Sequence, residues 1–196
     1  EVYGNVTETP DGYRYLHHQG SGEWIVFGNR LDNPGSVRIA LQHYRSSSNP
    51  NDDGTTHSCN GVLTTYPDES RSPTATYRGY PCYRQPGRDQ NMDLKPVYVW
   101  DNKIDGTTQI TALEITGYGD EQYLSNHMQE NRDYYVQGSS FNGTTGVGVG
   151  TLASRPSTCT ATPESADSGQ GGVGYWATDQ GTWKTATPTA GQDVSE

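Results

Sequence analysis

Lysine is nearly absent from this chain. Lys95, Lys103 and Lys184 are the full set among 196 residues, and 23 acidic residues face 13 basic ones. A net charge of −10 repels phosphate backbones, so nucleic acid is a poor partner for it. Long apolar runs are missing too. Nothing approaches the roughly 18–20 residues that a membrane-spanning helix needs, and no membrane insertion is expected. Hydrophobic residues make up only 30%. So low a share is one mark of disorder, but 14 Tyr, 4 Trp and a regular apolar alternation argue for a folded chain. Helical periodicity is scarce. The abundance of Gly (24 residues), with plentiful Asn, Thr and Ser, is that of short strands joined by tight turns.

What the sequence does have is a repeat. Residues 1–17, 25–41 and 98–114 align without a gap. Tyr3, Phe27 and Trp100 fall in one column, and Asn5, Asn29 and Asn102 in the next equivalent one. Thr7, Leu31 and Ile104 follow, then the acids Glu8, Asp32 and Asp105. After a turn come Tyr13, Val37 and Ile110, then Tyr15, Ile39 and Ala112. The first offset is 24 residues and the second is 73, about three times as long. A period in this range marks an array whose units bury themselves by stacking on their neighbours. The fold class expected is all-β: a right-handed parallel β-helix, or solenoid, with a long disulfide-closed loop excursion and an irregular C-terminal tail. A solenoid needs a cap over its first coil, so the parent protein is expected to extend upstream, where a signal sequence would sit.

Strand alternation assigns faces: Phe27, Asn29 and Leu31 to one side, Val26, Gly28 and Arg30 to the other. Coils with the excursion occupy residues 1–153. The excursion itself, polar and rich in Pro and Gly, runs over 46–95 and contains a short strand at Val62 to Tyr66. Loops of that length are uncommon unless functional. Glu121 to Tyr135 is the best helical candidate. From 154 to 196 the chain reads as an irregular, truncated tail or cap, with the start of a hairpin at Tyr175 to Asp179 and Trp183. Cys59 and Cys82 flank part of the excursion. A bridge between them would close a loop of about 24 residues and contribute roughly 3 kcal/mol; two unrelated thiols are the alternative. Cys159 then has no partner within the chain.

Several stretches carry a resemblance. They are Pro81-Cys82-Tyr83-Arg84-Gln85-Pro86-Gly87-Arg88, Pro96-Val97-Tyr98-Val99-Trp100-Asp101-Asn102, and Gln129-Glu130-Asn131-Arg132-Asp133-Tyr134-Tyr135. Gly146 to Gly150, Ala153 to Cys159 and Tyr175 to Gly181 complete it. Together they resemble the C-terminal part of secreted right-handed parallel β-helix proteins of the pectin-lyase-like superfamily. The likeness covers residues 80–183 well and the front more loosely. In related proteins the tail continues into another cysteine-bearing strand, which this chain lacks. The resemblance implies a parallel β-helix and a secreted or cell-surface setting. Superfamily lyases use calcium-bound uronate with an Arg or Lys base, and hydrolases use clustered Asp with a His. Neither set assembles here, so no catalytic residue is assigned.

The remaining constellations each have a bland and a sharp reading. The asparagine column is a structural ladder of amides bonded along the stack. The aromatic column shares its assigned face with Leu31 and Ile104 and reads as core. The acidic column is turn chemistry or a cation site. Asn51, Asp52 and Asp53 put oxygens before Gly54 in the manner of a calcium loop, so calcium is a possible cofactor, although the distal Glu is missing. Asn142-Gly143-Thr144 is a glycosylation sequon in a loop. Tyr80, Tyr83, Arg84 and Arg88 crowd the excursion, with His17 and His18 on the nearest early coil. Arg forks match sugar carboxylates and rings stack on sugars. These six form the candidate carbohydrate-binding set for an extracellular, acidic polysaccharide; alternatively they pin the loop to the wall. A structural, filament-forming solenoid that associates with itself along its axis is the second expectation. A polysaccharide lyase or glycoside hydrolase fragment is the third.

Overall fold

The computed structural model describes residues 1–8, 16–20, 22–32, 39–43, 85–89, 94–117, 128–138, 140–159 and 172–180. Within them the chain is all-β. The strands are β1 (Val2–Tyr3), β2 (Val6–Glu8), β3 (Leu16–Gln19), β4 (Trp24–Phe27), β5 (Arg30–Asp32) and β6 (Ile39–His43). They continue as β7 (Val97–Trp100), β8 (Lys103–Ile104), β9 (Thr108–Gln109), β10 (Glu114–Gly117), β11 (Tyr134–Val136), β12 (Val147–Gly150) and β13 (Gly174–Ala177). A single 3-10 turn at Leu152–Ser154 is the helical content among the described residues.

Successive strands enter three sheets in rotation. The first sheet runs β1-β4-β7-β11, all parallel. The second places β2, β5 and β8 in parallel, with the short β9 folded back antiparallel on β8. The third orders β3, β6 and β10, again parallel. A separate parallel pair, β12 and β13, packs on the first sheet. Val2, Val26, Val99 and Val136 are register partners across that sheet. Val2, Val26 and Val99 of that row join Leu31, Ile39, Leu41, Val97 and Ile110 in the main core. Val26, Leu31, Val97 and Val99 are 0% exposed, each contributing about 1.5–3 kcal/mol by leaving water.

Between the first and second sheets the chain turns a corner. Gly4, Gly28 and Asp101 stand at equivalent places there, with φ of 68°, 64° and 50°. That left-handed conformation suits Gly and is tolerated by Asp. It points backbone groups away from the ladder, and the asparagines that follow capture them. Asn29 Nδ2 donates to Phe27 O at 3.0 Å and to Asn102 Oδ1 at 2.7 Å. Asn102 Nδ2 donates to Trp100 O at 2.9 Å and Val26 O at 3.0 Å. Asn5 Nδ2 donates to Asn29 Oδ1 at 2.9 Å, so the row runs through all three layers.

The same corner corrects the assignment of faces. Phe27 and Leu31 do not share a side: Phe27 lies with Trp100 in a second cluster, and Leu31 lies with Val26 in the main core. A left-handed residue interrupts the alternation of two, so parity counted across it inverts. The register after the next turn also differs. The connection from β5 to β6 is one residue shorter than that from β2 to β3. Ile39 therefore pairs with Leu16 rather than Tyr15, and the third layer offers Leu113 rather than Ala112, which is exposed. A slip of one residue exchanges the faces of a strand.

Two further expectations change. Tyr134–Val136 is strand, not helix, because Tyr134 packs on the main core in register with Val97; residues 121–127 of the expected helix lie outside the described residues. Asn131, at φ 65°, breaks the chain just before it. Gly174–Ala177 pairs parallel with Val147–Gly150, so the segment from 154 onward is not wholly irregular; Trp183, the far side of the expected hairpin, lies outside the described residues. Cys159 is exposed with a free thiol. Cys59, Cys82 and the short strand at 62–66 lie outside the described residues.

The ladder predicts a graded response. Replacing Asn102 with Leu takes the acceptor from the buried Asn29 N–H and removes one donor each from the Val26 and Trp100 carbonyls, the latter keeping the Gly28 N–H, at about 1–3 kcal/mol for each group left unpaired. Asn5 is exposed, and Asn5→Leu should cost less than about 1 kcal/mol. Urea unfolding of both variants checks the order; equal midpoints would remove the ladder from the stability of the stack.

Candidate functional site

Taken out of the main core, the aromatic column lines the opposite face of the first sheet. Tyr3 stacks on Phe27 with centroids 4.9 Å apart, and Phe27 on Trp100 at 4.7 Å and an interplanar angle of 1°. Beside it Tyr98 stacks on Tyr135 at 5.4 Å. In-register parallel strands bring like positions into line, so an aromatic at one layer meets an aromatic at the next, for about 0.5–1.5 kcal/mol beyond burial. The β12–β13 pair covers part of this face. Trp176 of β13 leans on Phe27 at 5.0 Å and on Trp100 at 5.2 Å, tilted by 39° and 38°.

The cover is incomplete. A cleft of about 210 Å³ remains between the two layers. Ile25, Tyr98 and Trp100 line it from the first sheet, and Val147, Gly174, Tyr175 and Trp176 from the pair. Glu23, exposed just before β4, supplies the one charged side chain in the lining among the described residues. The tyrosines are held in place: Tyr98 donates its hydroxyl to Gly172 O at 2.8 Å, and Tyr175 donates to Thr151 O at 2.8 Å. Burial, with the nearby Glu23 charge adding to it, pushes the Tyr98 hydroxyl up to about 12. It stays protonated across the physiological range. The Trp100 indole N–H is buried without a hydrogen-bond partner among the described residues. Gly174 leaves room here: a Cβ on it would meet the Tyr98 ring at 3.4 Å.

The residues singled out from sequence fall elsewhere. Arg88 is 1% exposed, with its guanidinium 3.7 Å from the Asp133 carboxylate. Arg132 holds the other Asp133 oxygen at 2.6 Å, and the Gln129 N–H donates to it at 2.9 Å. Gly87 packs against this turn so closely that a Cβ would lie 2.5 Å from Asp133 O. A guanidinium buried in this way pins residues 85–89 to the wall and does not face a sugar. His17 is exposed. His18 stacks on Trp24 at 5.1 Å, and its Nε2 lies 3.3 Å from Gly22 O, which also accepts from the Gly87 N–H. His18 and the Arg88 segment therefore meet at Gly22, and neither is among the residues that line the cleft. Burial lowers the His18 pKa below 6.5, with the His17 charge adding to it and the Gly22 bond opposing. Tyr80, Tyr83, Arg84, Asn51, Asp52 and Asp53 lie outside the described residues.

In the acidic column Glu8 and Asp32 are register partners, and Asp32 accepts from Arg30 Nε. Among the described residues no three His, Cys, Asp or Glu side chains gather into a metal-binding group. Asn142 Oδ1 accepts from the Thr144 N–H and hydroxyl, at 3.0 and 2.6 Å, so the sequon forms a closed turn. Sequence reasoning missed Glu23, Tyr175 and Trp176 as a group. The signal was Gly4 and Gly28 beside the asparagines: recognising a left-handed corner there turns the aromatics outward.

Two outcomes follow. Arg88→Met leaves Asp133 buried beside one fewer cation and should cost about 3–5 kcal/mol; urea unfolding measures it, and a cost below about 0.5 kcal/mol would mean the side chain is not a pin. For His18 the folded pKa lies below the unfolded one, so the unfolded chain binds the proton first. Its contribution is complete above about pH 6.5 and is lost as pH falls through the lower folded value. Melting midpoints from pH 7.5 to 5 should decline in the wild type and decline less in His18→Phe.

Compared with family models, curated proteins and solved structures, the chain matches none.

Proposed function

We propose that this chain is part of a right-handed parallel β-helix of the pectin-lyase-like kind, from a secreted or cell-surface protein, and that it recognises extracellular polysaccharide. The rotation of strands through three parallel sheets and the asparagine row support the solenoid. The cleft carries the function. Two tyrosines and two tryptophans border a space of about 210 Å³, below the roughly 300–1,000 Å³ of sites for drug-sized ligands. That is room for one ring. Flat aromatic faces beside a hydrogen-bond acceptor suit a sugar, whose one side is C–H and whose rim is hydroxyl. A linear glycan could lie along the layers with one residue seated.

Titration calorimetry with hexasaccharides of differing charge tests the reading. Trp176→Ala should weaken binding at least about tenfold by removing one stacking surface. Gly174→Ala should weaken it too while leaving the melting midpoint within a few degrees, since its Cβ enters the cleft at ordinary contact distance. Wild-type affinity retained in Gly174→Ala and Trp176→Ala would take glycan binding away from the cleft.

A further inference from the structure

Resting on the polysaccharide reading, we infer that the cleft seats an amino sugar bearing a free ammonium group, not a uronate. Among the described residues, Glu23 is the charged residue of the lining, and no Arg or Lys joins it. The arginine expected to grip an acidic sugar, Arg88, is buried against Asp133 instead. A uronate in the cleft would bring its carboxylate toward Glu23 in a protein of net charge −10. Desolvated like charges repel strongly, and the surrounding field repels the ligand before it arrives. An ammonium reverses both signs. It is drawn in by the net charge, forms a charge-assisted hydrogen bond to Glu23, and places its positive C–H edge and cation near aromatic faces. The field of Glu23 reaches the interior of the cleft, since it helps to raise the Tyr98 pKa.

The donor and acceptor inventory points the same way. Both lining tyrosine hydroxyls already donate to backbone carbonyls, at Gly172 and Thr151. What remains for a ligand is acceptor capacity in the Glu23 oxygens and the lone pairs of those hydroxyls, with the Trp100 indole N–H as a neutral donor. A carboxylate ligand needs cationic donors, which the described lining does not offer. An ammonium needs acceptors, which it does.

Calorimetry with three probes decides the matter: a glucosamine hexamer with free amines, the neutral glucose hexamer of the same β-1,4 linkage, and a galacturonate hexamer. Mildly acidic buffer keeps the amines protonated. The glucosamine hexamer should bind about tenfold tighter than the neutral one, and the galacturonate weakest. Glu23→Gln, an exposed substitution that leaves the fold in place, should bring the first two within about threefold. Neutral and aminated hexamers binding alike to the wild type would overturn the ammonium while leaving the polysaccharide reading standing. So would galacturonate binding tightest. A glucosamine preference unchanged in Glu23→Gln would assign the attraction to net charge and also overturn the inference. If none of the three binds, the polysaccharide reading itself falls.

Discussion

The structure depends on one hydrogen-bonded row. Asn5 donates to Asn29 and Asn29 to Asn102, each amide also closing on the carbonyl two residues before it. The row sits where the chain leaves the first sheet for the second, at a left-handed residue whose neighbours cannot join a regular ladder. A corner of that kind would bury unpaired carbonyls, at about 1–3 kcal/mol each. The asparagine amide is short enough to reach its own corner and still hand an oxygen to the layer before. Register follows from this. Sliding one layer by one residue would put Gly28 or Arg30 in the row, and neither can donate and accept as an amide does.

Fixed register has two consequences on the two faces of the first sheet. Inside, valines lie over one another at positions 2, 26 and 99, and the core is filled by repetition. Outside, the same alignment places Tyr3, Phe27 and Trp100 in a stack. The outer stack cannot be left bare, because so large an aromatic surface in water is an association hazard. The β12–β13 pair covers it, with Trp176 wedged against two of the rings. A second clamp, the Arg88–Asp133–Arg132 group, ties residues 85–89 to the turn before β11. Replacing such a buried group with apolar residues is often harmless to stability, whereas losing one partner is not. Its value here is positional: it fixes residues 85–89 where they meet Gly22.

The all-β class, the stacked layers and the asparagine row were legible because each rests on identity at a fixed spacing. Columns of Asn and of aromatics survive any uncertainty about faces. What was not legible was parity. The sequence alternation counts Phe27 and Leu31 together, and only the left-handed φ at Gly28 separates them. The missing residue between β5 and β6 was hidden for a related reason: a turn can absorb a deletion without changing its composition, so nothing in residues 33–38 announces it. The helix expected up to Tyr135 gives way to strand at Tyr134 and Tyr135; so short an alternation at its end is too little to compete with a weak helical period. The binding residues were sought among cations in the polar excursion. Arg88 shows why that was unsafe, since a charge in a loop is also the natural partner for a carboxylate buried beneath it.

A repeat also restricts where a site can form. Positions that face the next layer are constrained by it: the asparagines, the inward valines and the stacked rings each need a like partner on both sides. Chemistry that requires an unlike group must sit where the repetition is interrupted. Two interruptions meet at the cleft. Glu23 stands before β4 where Pro96 stands before β7, and β12 and β13 leave the rotation of the three sheets to lie across the outer face. The repeat supplies a rigid, pre-stacked aromatic floor, and the exceptions supply the carboxylate and the second wall. Preorganisation of this kind lowers the entropy a ligand must lose, because Tyr98 and Tyr175 are already held by their hydroxyls. The same logic explains the charge. Each layer repeats its neighbour's apolar and amide positions, so a carboxylate enters the lining only where that repetition is interrupted, at Glu23 just before β4.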